Sequence, residues 1–138
     1  KARDCLPKRI DLQDAVYNIS HSSLLVAALC SGRLDLLGRA MKDRLHQSQR
    51  AALIPGMELI IREAGNYGAL SVALSGAGPT LLAFVDKQST EKKKLEQFMV
   101  ESFQAASVKA DTIWLQPDLK GLRITERQAP ELLSTSVT

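Results

Sequence analysis

An α+β fold, with an antiparallel four-stranded sheet covered by helices on one face, is what this sequence predicts. Two observations carry that expectation. From Leu12 to Ala64 apolar residues recur at helical spacing, and from Ala69 the period changes to the alternation of a strand. The expected order of three helices, two strands, one helix and two strands also sets strands beside strands instead of alternating them with helices one for one, which argues against a parallel sheet.

The first helix is read from Ala15, Val16, Ile19, Val26, Ala27 and Cys30, whose spacing defines one apolar face. Asp11 suits its cap, and Ser31-Gly32 ends it because glycine accepts the left-handed conformation that closes helices. Leu34, Leu37, Met41 and Leu45 predict a second helix, and Met57, Ile60, Ile61 and Ala64 a third, stopped at Gly65-Asn66. Leu70, Val72 and Leu74 then alternate with Ala69, Ser71 and Ala73, and Leu81 to Val85 is apolar throughout, so the two runs predict a hairpin closed by Ser75 to Pro79. A fourth helix, capped by Thr90, has Leu95, Phe98, Met99, Phe103 and Ala106 on its inner face. Its first turns hold Lys92-Lys93-Lys94, which oppose the helix dipole at a cost of roughly a few tenths of a kcal/mol each. Ala110 to Leu115 predicts a third strand and Leu122 to Thr125 a fourth, joined by the turn Pro117 to Gly121; the tail from Gln128 is expected to be loose.

The 138 residues suit a single domain, 1–138, large enough to bury a core. With 45% hydrophobic and 24% charged residues, neither disorder nor a membrane span is expected, and no secretory signal is evident. Net charge is +3, but the 18 basic and 15 acidic side chains are interspersed, and the lysine triplet reads as a solvated helix face. Nucleic acid and membrane are therefore not expected partners. Cys5, Cys30, His21 and His46 have no metal-ligand spacing, so no metal site is expected, and two reduced thiols suit a cytoplasmic location. The opening at Lys1, directly in "KARDCLPK" with no methionine, reads as the interior of a longer polypeptide.

The stretch "LSGAGPTLLAF", Leu74 to Phe84, has the glycines of a phosphate cradle. It lacks the lysine of a Walker loop, Leu81 stands where a dinucleotide fingerprint needs its third glycine, and the loop feeds a strand. A tight hairpin with glycines at positive φ and a binding loop both remain open on the residues alone.

"ALSGAGPTLLAF" (Ala73 to Phe84) resembles the third signature of the GHMP kinases. Three more segments, "ARDCLPK" (Ala2 to Lys8), "DAVYNISHSSLLVAAL" (Asp14 to Leu29) and "DRLHQSQRAALIPG" (Asp43 to Gly56), are similar in order and spacing to the C-terminal half of bacterial homoserine kinases. The resemblance covers residue 2 to about 86, and it departs from the family at Ser48-Gln49, where Pro-Tyr is usual. It implies a ferredoxin-like GHMP kinase C-terminal domain. It also implies that the nucleotide-phosphate loop and the magnesium carboxylate belong to an N-terminal half outside this chain, which alone is expected to be inactive. The complete enzyme would use ATP and Mg2+ to phosphorylate the hydroxyl of L-homoserine, in threonine biosynthesis. Its partners would be that substrate, the N-terminal half and, where the enzyme pairs, a second copy.

The resemblance places the substrate-binding arginines at Arg3 and Arg50, since a planar guanidinium suits the α-carboxylate. Ser75, Gly76, Ala77 and Gly78 form the third-signature loop, a brace and wall of the pocket, with both glycines expected to be crowded by a neighbouring backbone. Asn18 and His46 fall in matching segments but read more simply as structural, and Asp43 is ambiguous. No catalytic base is assigned within the chain. Two rival readings stay open: the C-terminal domain of another GHMP kinase, of mevalonate type, and a stand-alone small-molecule-binding or oligomerisation module.

Overall fold

The computed structural model describes residues 3–124. Helix α1 spans Leu12–Ser31 and is closed by Gly32 in the left-handed conformation at φ 69°, as its sequence position predicts. Asp11 stands at its start without a side-chain capping bond. A 3-10 turn, Leu34–Leu36, leads into the short α2, Leu37–Ala40. Helix α3 is Gln47–Ala51, α4 is Met57–Glu63, and a second 3-10 turn covers Ala64–Tyr67. Strands β1, Ser71–Leu74, and β2, Leu81–Phe84, follow, and α5 spans Lys92–Ala105.

The two strands are the expected antiparallel hairpin, with Val72 opposite Ala83 and Leu74 opposite Leu81. Alternation places these four residues on one face, where Val72 and Leu74 are buried. Helices α4 and α5 cover that face: Met57, Ile60, Leu95 and Phe103 join Val72 and Leu74 in a single core, with Phe98 and Met99 packed at its margin. The inner face expected of the α5 segment is thus the observed one. Lys94 Nζ lies 2.6 Å from Glu91 Oε2, which offsets part of the unfavourable charge at the start of this helix.

Three expectations need correction. The helix expected from Leu34 to Leu45 is broken after Ala40. The Asp43 carboxylate accepts backbone N–H groups from Leu45, His46 and Gln47, and this local turn starts a new helix instead of prolonging the old one.

The apolar face of α1 is turned outward, with Ile19 67% exposed and Val16 and Val26 also exposed. The helix is held instead by the side that carries Asn18 and Tyr17, through a bond from Asn18 to Asp43 and through Arg44 stacked 3.9 Å above the Tyr17 ring.

Finally, the described residues form a two-stranded sheet, not a four-stranded one. Ala110–Leu115 has no ladder, because Thr112 and Trp114 donate hydrogen bonds to Glu96 of α5 and tie the segment to the helix. Ile113 is left 80% exposed. Residues 122–124 are irregular, whereas Thr125 and the tail from Gln128 lie outside the described residues.

Candidate functional site

The site is built where α3 meets the hairpin loop. Asp43 fixes the start of α3: its Oδ2 accepts from His46 N at 2.8 Å and Gln47 N at 2.6 Å, its Oδ1 from Leu45 N at 3.2 Å. Asn18 of α1 donates to the same Oδ1 at 2.6 Å and accepts from Arg44 N at 3.0 Å. Burial of this carboxylate, only 6% exposed, works to raise its pKa; the bonds from Gln47, Asn18, His46 and Leu45 outweigh that and hold it below the ordinary aspartate value.

A depressed pKa means that Asp43 contributes stability fully present above its unfolded value, about 3.9, and lost as pH falls through the lower folded value. Replacing it, Asp43→Asn, is expected to cost about 1–3 kcal/mol at neutral pH, by leaving backbone donors short of an acceptor. The variant should also lose less stability than the parent between pH 5 and about 2. Denaturant unfolding at both ends of that range checks this; parallel pH profiles would refute the role.

Arg50, in the last turn of α3, is only 7% exposed. Its Nη1 donates to the Gly76 carbonyl oxygen at 3.2 Å, which joins the arginine to the glycine loop, and it lies 3.1 Å from His46 Nδ1. A guanidinium only donates, so this partner assigns Nδ1 as the acceptor and puts the imidazole proton on Nε2, which faces Asp43 Oδ1 at 3.7 Å. Asp43, His46, Arg50 and Gly76 are therefore one connected group.

The loop is closed by Ser75 N donating to Thr80 O at 2.9 Å and Gly78 N to Ser75 O at 3.0 Å. Ser75, Gly76 and Ala77 are exposed, and Gly76 and Gly78 have φ of 56° and 78°. Crowding differs between them. A Cβ on Gly78 would stand 2.7 Å from Ile54 Cδ1 and 2.9 Å from Leu74 Cδ1, while one on Gly76 meets nothing within 4 Å. Within this chain, of the two, Gly78 alone is crowded, and by core side chains.

Arg3 lies in an exposed turn closed by Leu6 N donating to Arg3 O at 3.2 Å. The described contacts bring Arg50, and not Arg3, to the loop. The sequence reading passed over Gln47, whose side chain links α3 to the end of β1. Its partner is a backbone N–H, so no residue pattern marked it.

Among the described residues no three His, Cys, Asp or Glu side chains are grouped to hold a metal ion, and the glycine loop leads into a strand instead of opening a helix. No helix of the described residues is long and apolar enough to cross a membrane.

The family model described as "GHMP kinases C terminal" matches residues 25–104. The chain is 52% identical over 90 residues to a homoserine kinase of Deinococcus radiodurans, covering 65% of this chain and 29% of that protein. It is 43% identical over 124 residues to a homoserine kinase of Desulfitobacterium hafniense, covering 90% and 41% respectively. The crystal structure of a homoserine kinase from Cytophaga hutchinsonii superposes with a TM-score of 0.69 at 36% identity, over 75% of this chain and 33% of that one. The chain thus spans less than half the length of these relatives.

Proposed function

We propose, from the premise that this chain belongs to the GHMP kinases by their C-terminal domain, that it is the substrate-binding C-terminal portion of a homoserine kinase. The complete enzyme transfers the γ-phosphoryl group of ATP to the hydroxyl oxygen of L-homoserine, forming the new O–P bond as the bond to ADP breaks. The single observation that carries the reading is a buried arginine, Arg50, bonded to the carbonyl of the third-signature loop. Phosphoryl transfer asks a protein chiefly for alignment and neutralisation of charge, and a fixed guanidinium supplies both at an amino acid's α-carboxylate. Arg3 is the second candidate for that carboxylate.

ATP and Mg2+ supply the phosphoryl group and neutralise its charge, and in this reading the other portion of the enzyme holds them. In this division of labour the work assigned to this chain is binding and orienting the amino acid. The outward apolar face of α1, with Val16, Ile19 and Val26, supports a larger assembly, because such a stripe is surface that a complete enzyme would cover. In this reading the complete enzyme works in the cytoplasm, alone or as a homodimer.

The test is direct. The complete enzyme should phosphorylate L-homoserine in preference to mevalonate, whereas the purified 138-residue chain, assayed with ATP and Mg2+, should form no phosphohomoserine above background. Turnover by the isolated chain would contradict the division of labour, and a preference for mevalonate would move the protein to another branch of the family.

A further inference from the structure

Gln47 makes three hydrogen bonds that the carboxylate-binding role of Arg50 does not itself require. Its backbone N–H donates to Asp43 Oδ2 at 2.6 Å, its Nε2 donates to Met41 O at 3.4 Å, and its Oε1 accepts the backbone N–H of Leu74 at 2.8 Å. Leu74 is the last residue of β1, and its N–H points away from the β2 ladder, so the glutamine satisfies a donor on the free edge of the hairpin. Two residues later comes Gly76, whose carbonyl accepts from Arg50. Three residues after Gln47, almost one helical turn, comes Arg50 itself.

Helix α3 and the glycine loop are therefore fastened at two successive points, Gln47 to Leu74 and Arg50 to Gly76. The first fastening lies at the root of the loop, on the strand; the second lies at its far end, on the exposed glycine turn. A single bond from Arg50 would let the loop pivot about it. Two bonds at different heights fix both the separation and the tilt of the loop relative to the guanidinium.

We propose that Gln47 is a positioning residue for amino-acid binding, which sets the place of the Arg50 guanidinium against loop 75–78. This rests on the reading of Arg50 as a carboxylate ligand. Gln47 need not touch the substrate; it acts through Arg50 and the loop, and misplacement of a binding group by about 1 Å can cost as much as about 10²-fold.

The experiment uses the complete enzyme and four variants assayed side by side. Gln47→Met keeps the length of the side chain and removes both of its side-chain bonds. Gln47→Asn keeps the amide but is one methylene too short to reach Leu74. Gln47→Glu retains the acceptor for the Leu74 N–H. Arg50→Ala reports on the underlying reading. The expected result is a KM for L-homoserine raised about 10-fold or more by Met and by Asn, with kcat and the KM for ATP each within about twofold. Glu should restore most of the loss, because it keeps the bond that matters.

Equal rises in both KM values, a fall in kcat alone, or a lowered melting temperature with unchanged kinetics would overturn the proposal and leave Gln47 a purely structural residue. Should the Met variant fail to fold, the Asn variant decides by the same criteria. The two readings separate cleanly: if Arg50→Ala raises the homoserine KM and the Gln47 variants do not, only the positioning role fails, and if Arg50→Ala does not raise it, the carboxylate assignment itself fails.

Discussion

In the complete enzyme, Arg50→Ala should raise the KM for L-homoserine by about 10²-fold or more while the KM for ATP stays within about twofold. The magnitude follows from the penalty for leaving a desolvated carboxylate unpaired, about 2–5 kcal/mol, at about 1.4 kcal/mol per tenfold. Arg50 is buried and bonded to Gly76 and His46, so its guanidinium is held in place before substrate arrives and little of its binding energy is spent on ordering. Arg50→Lys should recover only part of the loss, since an ammonium is a point charge without the planar fork that grips two oxygens. Steady-state kinetics with each substrate varied in turn checks this. A larger effect on ATP than on homoserine would remove the arginine from the amino-acid site.

A second large effect is expected at Gly78. Gly78→Ala meets two penalties: a left-handed backbone at φ 78°, about 1–2 kcal/mol for a residue with a Cβ, and overpacking against Ile54 and Leu74, about 1–3 kcal/mol. Both neighbours are buried, so their methyl groups can turn aside only into the packed core. Gly76→Ala carries the backbone penalty alone, because the space beside it is open. Denaturant unfolding of the two variants should therefore show Gly78→Ala the less stable by at least about 1 kcal/mol. Equal losses would mean that the loop is constrained by its backbone conformation and not by the core beneath it.

The contrast between the glycines shows what a sequence of this kind carries and what it does not. The hairpin was legible because its information is local: alternation at Val72 and Leu74, an apolar run at Leu81, and a glycine turn between them. The α5 face was legible for the same reason, since 3.6-residue periodicity needs no distant partner.

Failures came where distant contacts decide. The apolar stripe of α1 is genuine, but which side faces inward is set by Asn18 reaching Asp43, 25 residues away, and by Arg44 over Tyr17. Ala110–Leu115 reads as a strand by composition, yet a strand exists only with a ladder beside it, and Glu96 draws Thr112 and Trp114 to the helix instead. The burial of Arg50 is not written in its neighbours, and its candidacy came from the family resemblance alone. Gln47 left no mark because its partner is a backbone N–H, which every residue but proline provides.

The central claim, that Arg50 binds the carboxylate of the substrate, is tested most directly by removing each partner in turn. Binding of L-homoserine and of the amino alcohol that lacks its carboxylate should be measured by calorimetry on the complete enzyme and on its Arg50→Ala variant. The account predicts that the parent prefers homoserine by about 10²-fold or more and that this preference collapses in the variant, the two losses being strongly non-additive. An undiminished preference for homoserine after the arginine is gone would place the carboxylate elsewhere and contradict the account.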